Sequence, residues 1–188
     1  MDYHSIYESW RADPEKFWMD AAKNIDWHKK PTFALNHSNA PLYEWYTDSL
    51  VNTCFNAVDR HVKNGRADQT AIIYDSPVTE KKLHLTYKDL LEKTSLLAGS
   101  LLKKGITKGD RVIIYMPMIP EAIVAMLACA RIGAIHSVVF GGFASHELAV
   151  RIDDAQPKII LAASCGIEPG RVVLSLIHIS EPTRRGII

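Results

Sequence analysis

The stretch that decides the fold is VIIYMPMIPEAIVAMLACARIGAIHSVVF, residues 112–140. It begins and ends with apolar runs rich in Val and Ile, which predict two buried strands, Val112–Tyr115 and Ile135–Phe140. Between the two strands, Pro120 opens a predicted helix and Gly133 ends it. Strand, helix and strand therefore alternate over a short span of chain.

The same alternation continues on both sides of this stretch. Upstream, Thr86 is the predicted N-cap of a helix that ends at Gly105, and Asp89 completes an imperfect capping box. Because the strands are near-continuous in Val and Ile, we expect a mainly parallel sheet covered on both faces. The predicted fold class is α/β, doubly wound. The other predicted elements are strands 71–74, 83–86 and 158–162 and helix 145–153.

Residues 1–63 predict a separate helical segment. Asp13 and Pro14 supply an N-cap and a first helical residue. A second helix is predicted over 50–63, where apolar residues recur at helical spacing and Gly65 stands just past the end.

The composition is that of an ordinary globular protein. Of the 188 residues, 47% are hydrophobic and 23% charged, which argues against disordered and collagen-like classes. The formal net charge is +1, so no bulk attraction to nucleic acid or anionic lipid is expected. No apolar run approaches the roughly 18 residues of a membrane span. The cysteines Cys54, Cys129 and Cys165 form no CxxC pair, which favours a reducing compartment, and the histidines show no metal-ligand spacing.

The last fifteen residues, 174–188, do not continue the α/β pattern. Residues 174–184, LSLIHISEPTR, resemble the translation of a transposase sequencing adaptor, and we interpret 174–188 as an adaptor-derived tail outside the fold. The alternative is a genuine, unusual C-terminus. Because the tail lacks periodicity and contains Pro182, we expect it to be loosely held. The predicted division is therefore 1–63, 64–173 and 174–188.

Two glycine-containing loops are the candidate binding sites. Residues 140–142 stand where a predicted strand ends, and open α/β sheets bind ligands at the carboxyl ends of their strands. Residues 168–171 follow the last predicted strand, and Arg171 can present a planar fork to a phosphate. The residues alone favour plainer alternatives, a tight turn at the first loop and a solvated surface arginine at the second. The candidate residues are Phe140, Gly141, Gly142, Glu168, Pro169, Gly170 and Arg171.

A third feature, Glu121, lies in the first turn of the helix that Pro120 opens. It is either a catalytic carboxylate or a group that suits the helix dipole, and its position favours the dipole. The chain has no P-loop, no GxSxG elbow, no GxGxxG after a strand and no paired acid–base constellation. The residues by themselves thus indicate an α/β domain that could take a nucleotide-type ligand, with no catalytic residue and no metal ligand.

Several motifs together give a specific resemblance that covers residues 3–173. The sequence resembles the N-terminal part of the short-chain acyl-CoA synthetases, the acetyl- and propionyl-CoA synthetases of the adenylate-forming superfamily. YDSPVT at 74–79 and IEPGR at 167–171 look closest to the propionyl-CoA-synthetase-like branch. The other motifs that carry the resemblance are FW at 17–18, LTY at 85–87, GDRV at 109–112, YMPMIPE at 115–121, ACARIGAIH at 128–136 and VFGGFA at 139–144.

The resemblance implies a fold and a reaction. Residues 1–63 would be an acetyl-CoA-synthetase-type helical segment, and 64–173 the start of a truncated AMP-dependent synthetase/ligase domain with an incomplete doubly wound sheet. Acetate or propionate would attack ATP to give an acyl-adenylate and pyrophosphate, and CoA would then displace AMP. ATP and CoA are thus the implied substrates, and Mg²⁺ the implied metal on the phosphates. The implied partners are these small molecules, without nucleic acid and without membrane insertion.

The resemblance also implies roles for the two loops. Residues 140–142 match a segment on the pantetheine side of the CoA site, and 168–171 match the CoA-binding turn, with Arg171 on the phosphates. In the family, the phosphate loop, the adenine and ribose contacts, the acyl pocket and the lysine-bearing lid lie downstream. We therefore expect this chain to contain no catalytic residue and to be inactive by itself.

Two hypotheses about function follow. The first is an incomplete acyl-CoA ligase, and the second is a short module that binds CoA or a nucleotide without catalysis. The adaptor-like tail favours the first. The branch is typically mitochondrial in animals while related enzymes are cytosolic, and these residues contain no targeting peptide.

Overall fold

The structure is a computed structural model that describes residues 2–140 and 145–175. The chain divides into two compact units, Met1–Asn56 and Ala57–Ile188. Among the described residues, no helix combines the length and the apolar character needed to cross a membrane.

The first unit begins with helices and continues with short strands. The predicted helix start is confirmed: Asp13 accepts a hydrogen bond from the Lys16 amide at 2.9 Å, and Pro14 is the first helical residue. The predicted helical segment also contains strands that the sequence analysis did not predict, because two pairs of antiparallel strands follow the helices. The elements are α1 Tyr3–Ala12, α2 Pro14–Ala22, β1 Trp27–Lys29 paired with β4 Leu50–Val51, and β2 Leu35–Asn36 paired with β3 Glu44–Trp45.

The predicted helix over 50–63 starts later than expected. Leu50 and Val51 pair with β1, and the Asn52 side chain then accepts a hydrogen bond from the Phe55 amide at 2.9 Å. An Asn whose side chain accepts a hydrogen bond from the amide three residues later is an N-cap, so the helical turns begin just after Asn52. The two π-helical segments are Phe55–Asp59 and Val62–Arg66.

The second unit opens with a β-hairpin and a capped helix. β5, Thr70–Ser76, pairs antiparallel with β6, Lys81–Thr86, in a sheet of its own. The four residues between the two strands are too few for the crossover connection that parallel neighbours need. α3, Tyr87–Lys103, follows at once and has the predicted capping box in full, with Thr86 and Asp89 bonded reciprocally.

Three parallel strands form the sheet that positions the candidate site. β7, Arg111–Met116, lies in the centre, between β8, Ile135–Phe140, and β9, Ile159–Ala162. The connecting helices are α4, Pro120–Ile132, and α5, Ser145–Ala155. The α/β class predicted from the sequence is confirmed.

Helices cover both faces of this sheet. Side chains alternate across a strand, so β7 contributes to both cores. Val112 packs in one core with Leu101 of α3 and Ala128 of α4, whereas Tyr115 packs in the other with Leu148 of α5. All of these side chains are buried. The central strand is thus fixed from both sides, which gives its carboxyl end a defined place.

The described chain ends in a second hairpin that the sequence analysis did not predict. β10, Cys165–Glu168, pairs antiparallel with β11, Arg171–Leu174. The first residue of the predicted tail, Leu174, therefore belongs to a strand, and Ser175 donates its amide to the Ser164 carbonyl at 2.9 Å. The rest of the tail, 176–188, lies outside the described residues.

Candidate functional site

The carboxyl ends of the three parallel strands meet at one edge of the sheet. Met116 of β7 is in register with Phe140 of β8, and Tyr115 is in register with Ala162 of β9. Phe140 is 57% exposed, although it closes a strand that is otherwise part of the sheet. Ligands of open α/β sheets bind at this edge, so the strands place Phe140 where the sequence predicted a site.

The hairpin Cys165–Leu174 leaves the sheet at the same edge. The Ala163 amide donates to the Tyr115 carbonyl at 3.3 Å, which extends the pairing of β9 with β7 by one residue. The bond from the Ser175 amide to the Ser164 carbonyl closes the base of the hairpin, two residues after β9 ends. The hairpin is therefore anchored directly to the carboxyl edge of the sheet.

Pro169 and Gly170 form the two-residue turn at the tip of this hairpin. Gly170 has a φ of +76°, in the left-handed region that favours glycine. Proline before a glycine of positive φ is the pattern of a type II turn. The resemblance matched 168–171 to a turn, and the structure has a turn at these residues.

Glu168 and Arg171 flank the turn and pair with each other. Arg171 donates from Nε at 2.8 Å and from Nη2 at 2.5 Å, and both bonds go to Oε2 of Glu168. The side chains are 71% exposed for Arg171 and 51% for Glu168. The guanidinium thus pairs with Glu168 at the tip while it remains open to solvent.

The structure brings together four of the seven predicted site residues. Glu168, Pro169, Gly170 and Arg171 form one turn, whereas Phe140 lies on the opposite edge strand, with β7 in between. Two strand spacings of about 4.8 Å separate those edge strands by roughly 10 Å. The other two predicted residues, Gly141 and Gly142, lie outside the described residues.

The ion pair at the tip could have been found from the sequence. Opposite charges three residues apart, on either side of Pro-Gly, become directly opposite partners once the two flanking segments are paired as strands. The sequence analysis missed the pair because it treated 168–171 as a turn without strands.

A cluster of hydrogen-bonded polar groups at the amino end of the sheet joins the strands that carry the candidate site. Oδ2 of Asp110 accepts from Nζ of Lys158 at 2.8 Å and from the amide and hydroxyl of Thr107 at 2.7 and 2.8 Å. These bonds, the one from Lys158 first, lower the pKa of Asp110 to about 2. Because Asp110 precedes β7 and Lys158 precedes β9, the cluster joins the starts of two neighbouring strands.

Other reactive groups in the described part of the chain offer little chemistry. Burial raises the pKa of the Cys129 thiol to about 11, so this group is not an activated nucleophile. Glu121 lies in the first turn of α4, where a carboxylate suits the helix dipole. Within residues 2–140 and 145–175, no group of three or more His, Cys, Asp or Glu side chains could hold a metal ion.

Two families of known proteins match successive parts of the chain. Residues 3–57 match the acetyl-coenzyme A synthetase N-terminus, and residues 58–184 match the AMP-binding enzymes. The second match alone covers more than half of the chain.

Individual relatives show the same pattern. Over 98% of the chain, 53% of residues are identical to "Acyl-CoA synthetase short-chain family member 3, mitochondrial" of Bos taurus. Identity is 47% over 88% of the chain to "Acetyl-coenzyme A synthetase" of Streptomyces coelicolor, and 43% over 92% to "Propionate--CoA ligase" of Escherichia coli. The chain covers 27%, 25% and 27% of these three proteins. It thus spans about a quarter of the length of the curated relatives it matches.

Proposed function

Because the chain belongs to the AMP-binding enzyme family and carries the acetyl-coenzyme A synthetase N-terminus, we propose that it is the N-terminal part of a short-chain acyl-CoA synthetase. The substrates are a short carboxylate (acetate or propionate), ATP and CoA. The observation that carries this proposal is identity of 43–53% over at least 88% of the chain to proteins with those names. The three-stranded sheet is then the start of a larger doubly wound sheet, with 1–63 as the preceding segment and 64–173 as its first part.

The proposed reaction has two steps. A carboxylate oxygen attacks the α-phosphorus of ATP and pyrophosphate leaves, which converts a poor acyl donor into a mixed anhydride. The CoA thiolate then attacks the acyl carbon and AMP leaves. Bound magnesium would neutralise phosphate charge in such a reaction, but the described residues contain no ligand cluster that fits it. No step of the chemistry is therefore assigned to a metal held by this stretch.

The role of the described residues is to bind CoA. Arg171 extends from a hairpin anchored at the ligand-binding edge, and its exposed guanidinium can meet a phosphate of the nucleotide end of CoA. Phe140 presents an exposed aromatic face at the same edge, suited to the apolar part of the pantetheine arm. Gly141 and Gly142 remain predicted neighbours of that arm, and Pro169 and Gly170 shape the turn.

The relatives also bear on the compartment. One of them is named as mitochondrial, which supports a mitochondrial location for the full-length protein, with the cytoplasm as the alternative. Import of a fluorescently tagged full-length protein into mitochondria would separate the two.

The experiment that tests the proposed function uses the full-length protein that contains this stretch. We expect sustained formation of AMP and pyrophosphate to require ATP, CoA and acetate or propionate together, with octanoate as the control acid. ATP turnover that does not depend on a carboxylate would contradict the proposal.

The 188-residue chain provides the companion test. We expect no carboxylate-dependent release of pyrophosphate from it, since the described residues hold no candidate for adenylation chemistry. Release above a control without enzyme would show that the adenylation site lies within these residues. Binding of CoA without turnover is the behaviour of the alternative, a non-catalytic module.

A further inference from the structure

Glu168 bonds to only one edge of the Arg171 guanidinium at the tip of the hairpin. Glu168 and Arg171 are register partners, the last pair before the turn. Both hydrogen bonds run from the side edge of the guanidinium, Nε and Nη2, to the single oxygen Oε2. The carboxylate therefore occupies the side edge of Arg171 in this structure.

Counting donors shows what this arrangement leaves. An arginine side chain has five N–H donors, one on Nε and two on each Nη. Glu168 takes one from Nε and one from Nη2. The remaining three donors lie on Nη1 and the outer side of Nη2, and among the described residues Arg171 bonds to Glu168 through Nε and Nη2 and not through Nη1. Those donors form the end-on fork that matches two oxygens of a phosphate.

We propose that Glu168 is a positioning residue for CoA. It holds the side edge of Arg171 so that the free fork faces the incoming phosphate, and it does not itself contact CoA. This inference rests on the proposed function, because it takes the phosphate to be one of those carried by CoA. A long side chain that is immobilised beforehand loses less rotamer freedom when the ligand binds.

The charge of Glu168 works in the opposite direction from its geometry. A carboxylate beside the guanidinium repels a phosphate, although solvent screens this repulsion because both side chains are more than half exposed. The same exposure means that the pair contributes little to folding stability. Removal of Glu168 should thus alter CoA binding without unfolding the hairpin.

The test is a set of variants in the full-length ligase: Glu168→Ala, Glu168→Gln, Arg171→Ala and the double variant Glu168→Ala/Arg171→Ala. We expect Glu168→Ala to raise the KM for CoA roughly threefold, the size expected for freeing one long side chain, with kcat unchanged. Glu168→Gln retains an acceptor oxygen and removes the repulsion, so its KM should equal or fall below that of the wild type. Glu8→Ala is the control, since Glu8 also makes an exposed i,i+3 pair with an arginine, Arg11, and its KM should not change.

The double variant and a second acceptor decide the inference. If Glu168 acts only through Arg171, the double variant has the same KM for CoA as Arg171→Ala. With pantetheine, which has the thiol arm but no phosphate, Glu168→Ala should behave as the wild type.

Additive effects, an equal loss with pantetheine, or a lower KM in Glu168→Ala would overturn the positioning role. If Arg171→Ala itself leaves the KM for CoA unchanged, the proposed CoA role of the turn fails first. The two failures are therefore distinguishable.

Discussion

The ion pair between Asp59 and Arg131 joins residues far apart in sequence, and we predict that its removal lowers the stability of the fold. Arg131, near the end of α4, donates from Nη1 to Oδ1 of Asp59 at 3.1 Å and from Nη2 to Oδ2 at 2.6 Å. The side chains are only 23% and 17% exposed. Such a two-bond pair ties α4 to the first π-helical segment.

The burial of the pair sets the size of the expected loss in the free energy of unfolding. Removal of one partner of a fully buried pair costs about 3–5 kcal/mol, while exposed pairs contribute about 0–1 kcal/mol. This pair lies between the two cases, so we expect Asp59→Ala to lower the free energy of unfolding by about 2 kcal/mol. For a chain of this size, that corresponds to a fall in Tm of roughly 4–8 °C.

The assay is thermal and urea unfolding of the 188-residue chain, followed by circular dichroism at 222 nm. Tryptophan fluorescence is unsuitable, because all four tryptophans precede residue 57 and thus report on the other unit. The control is Glu147→Gln, which removes one charge from an exposed i,i+4 pair with Arg151 and should change stability by less than about 0.5 kcal/mol. An effect of Asp59→Ala no larger than that of the control would refute the reasoning.

Three further predictions concern the amino end of the sheet, a helix end and the tail. The folded-state pKa of Asp110 is about 2, below its ordinary value of 3.8, so the charged carboxylate stabilises the fold fully above pH 3.8 and this stabilisation is lost as the pH falls toward 2. The Tm should therefore fall less steeply with acidification in Asp110→Asn than in the wild type, and parallel curves of Tm against pH would contradict this. Gly133 has a φ of +74°, and an added Cβ would lie 3.0 Å from Cγ of Lys108, so Gly133→Ala should lower the free energy of unfolding by about 1–2 kcal/mol in the same assay, while an unchanged Tm would count against the strain. The match to the AMP-binding enzymes runs to residue 184, so the interpretation of 174–188 as adaptor-derived needs its own test: long-read sequencing of the transcript should then show a different continuation after Val173, and the presence of these codons in the transcript would show that the tail is genuine.

Local signals in the sequence predicted much of the second unit. The reciprocal cap of Thr86 and Asp89, the proline at the start of α4 and Gly133 at its end act within one turn of chain, so they can be identified without knowledge of the partners. The central and flanking parallel strands were also found, because a sheet covered on both faces requires continuous apolar runs.

Long-range pairing is what the sequence left open. The order of the strands, with β7 in the centre, depends on the packing of α3, α4 and α5, which no single segment encodes. The bond of Arg131 to Asp59 spans 72 residues. The antiparallel pairing of β5 with β6 was within reach, since the length of the connection alone excludes a parallel crossover.

The candidate site stays a prediction. Its residues were identified through a resemblance, and the residues alone favoured a solvated surface arginine. The structure adds the hairpin, its anchor at the carboxyl edge and the contact of Arg171 with Glu168. These features depend on β11, a short and largely exposed strand, whose pattern is too brief to be distinguished from a loop.

The most direct test of the central claim is the effect of Arg171→Ala on the two half-reactions of the full-length ligase. A charged hydrogen bond contributes about 1.5–3 kcal/mol when desolvated, and Arg171 is 71% exposed, so we take the lower end. The KM for CoA should therefore rise about tenfold, with partial recovery in Arg171→Lys, which retains the charge but not the fork. Carboxylate-dependent exchange of pyrophosphate into ATP should remain within about twofold of the wild type, since that step precedes CoA. If exchange falls as far as thioester formation, Arg171 does not serve the CoA site and the account of the hairpin is wrong.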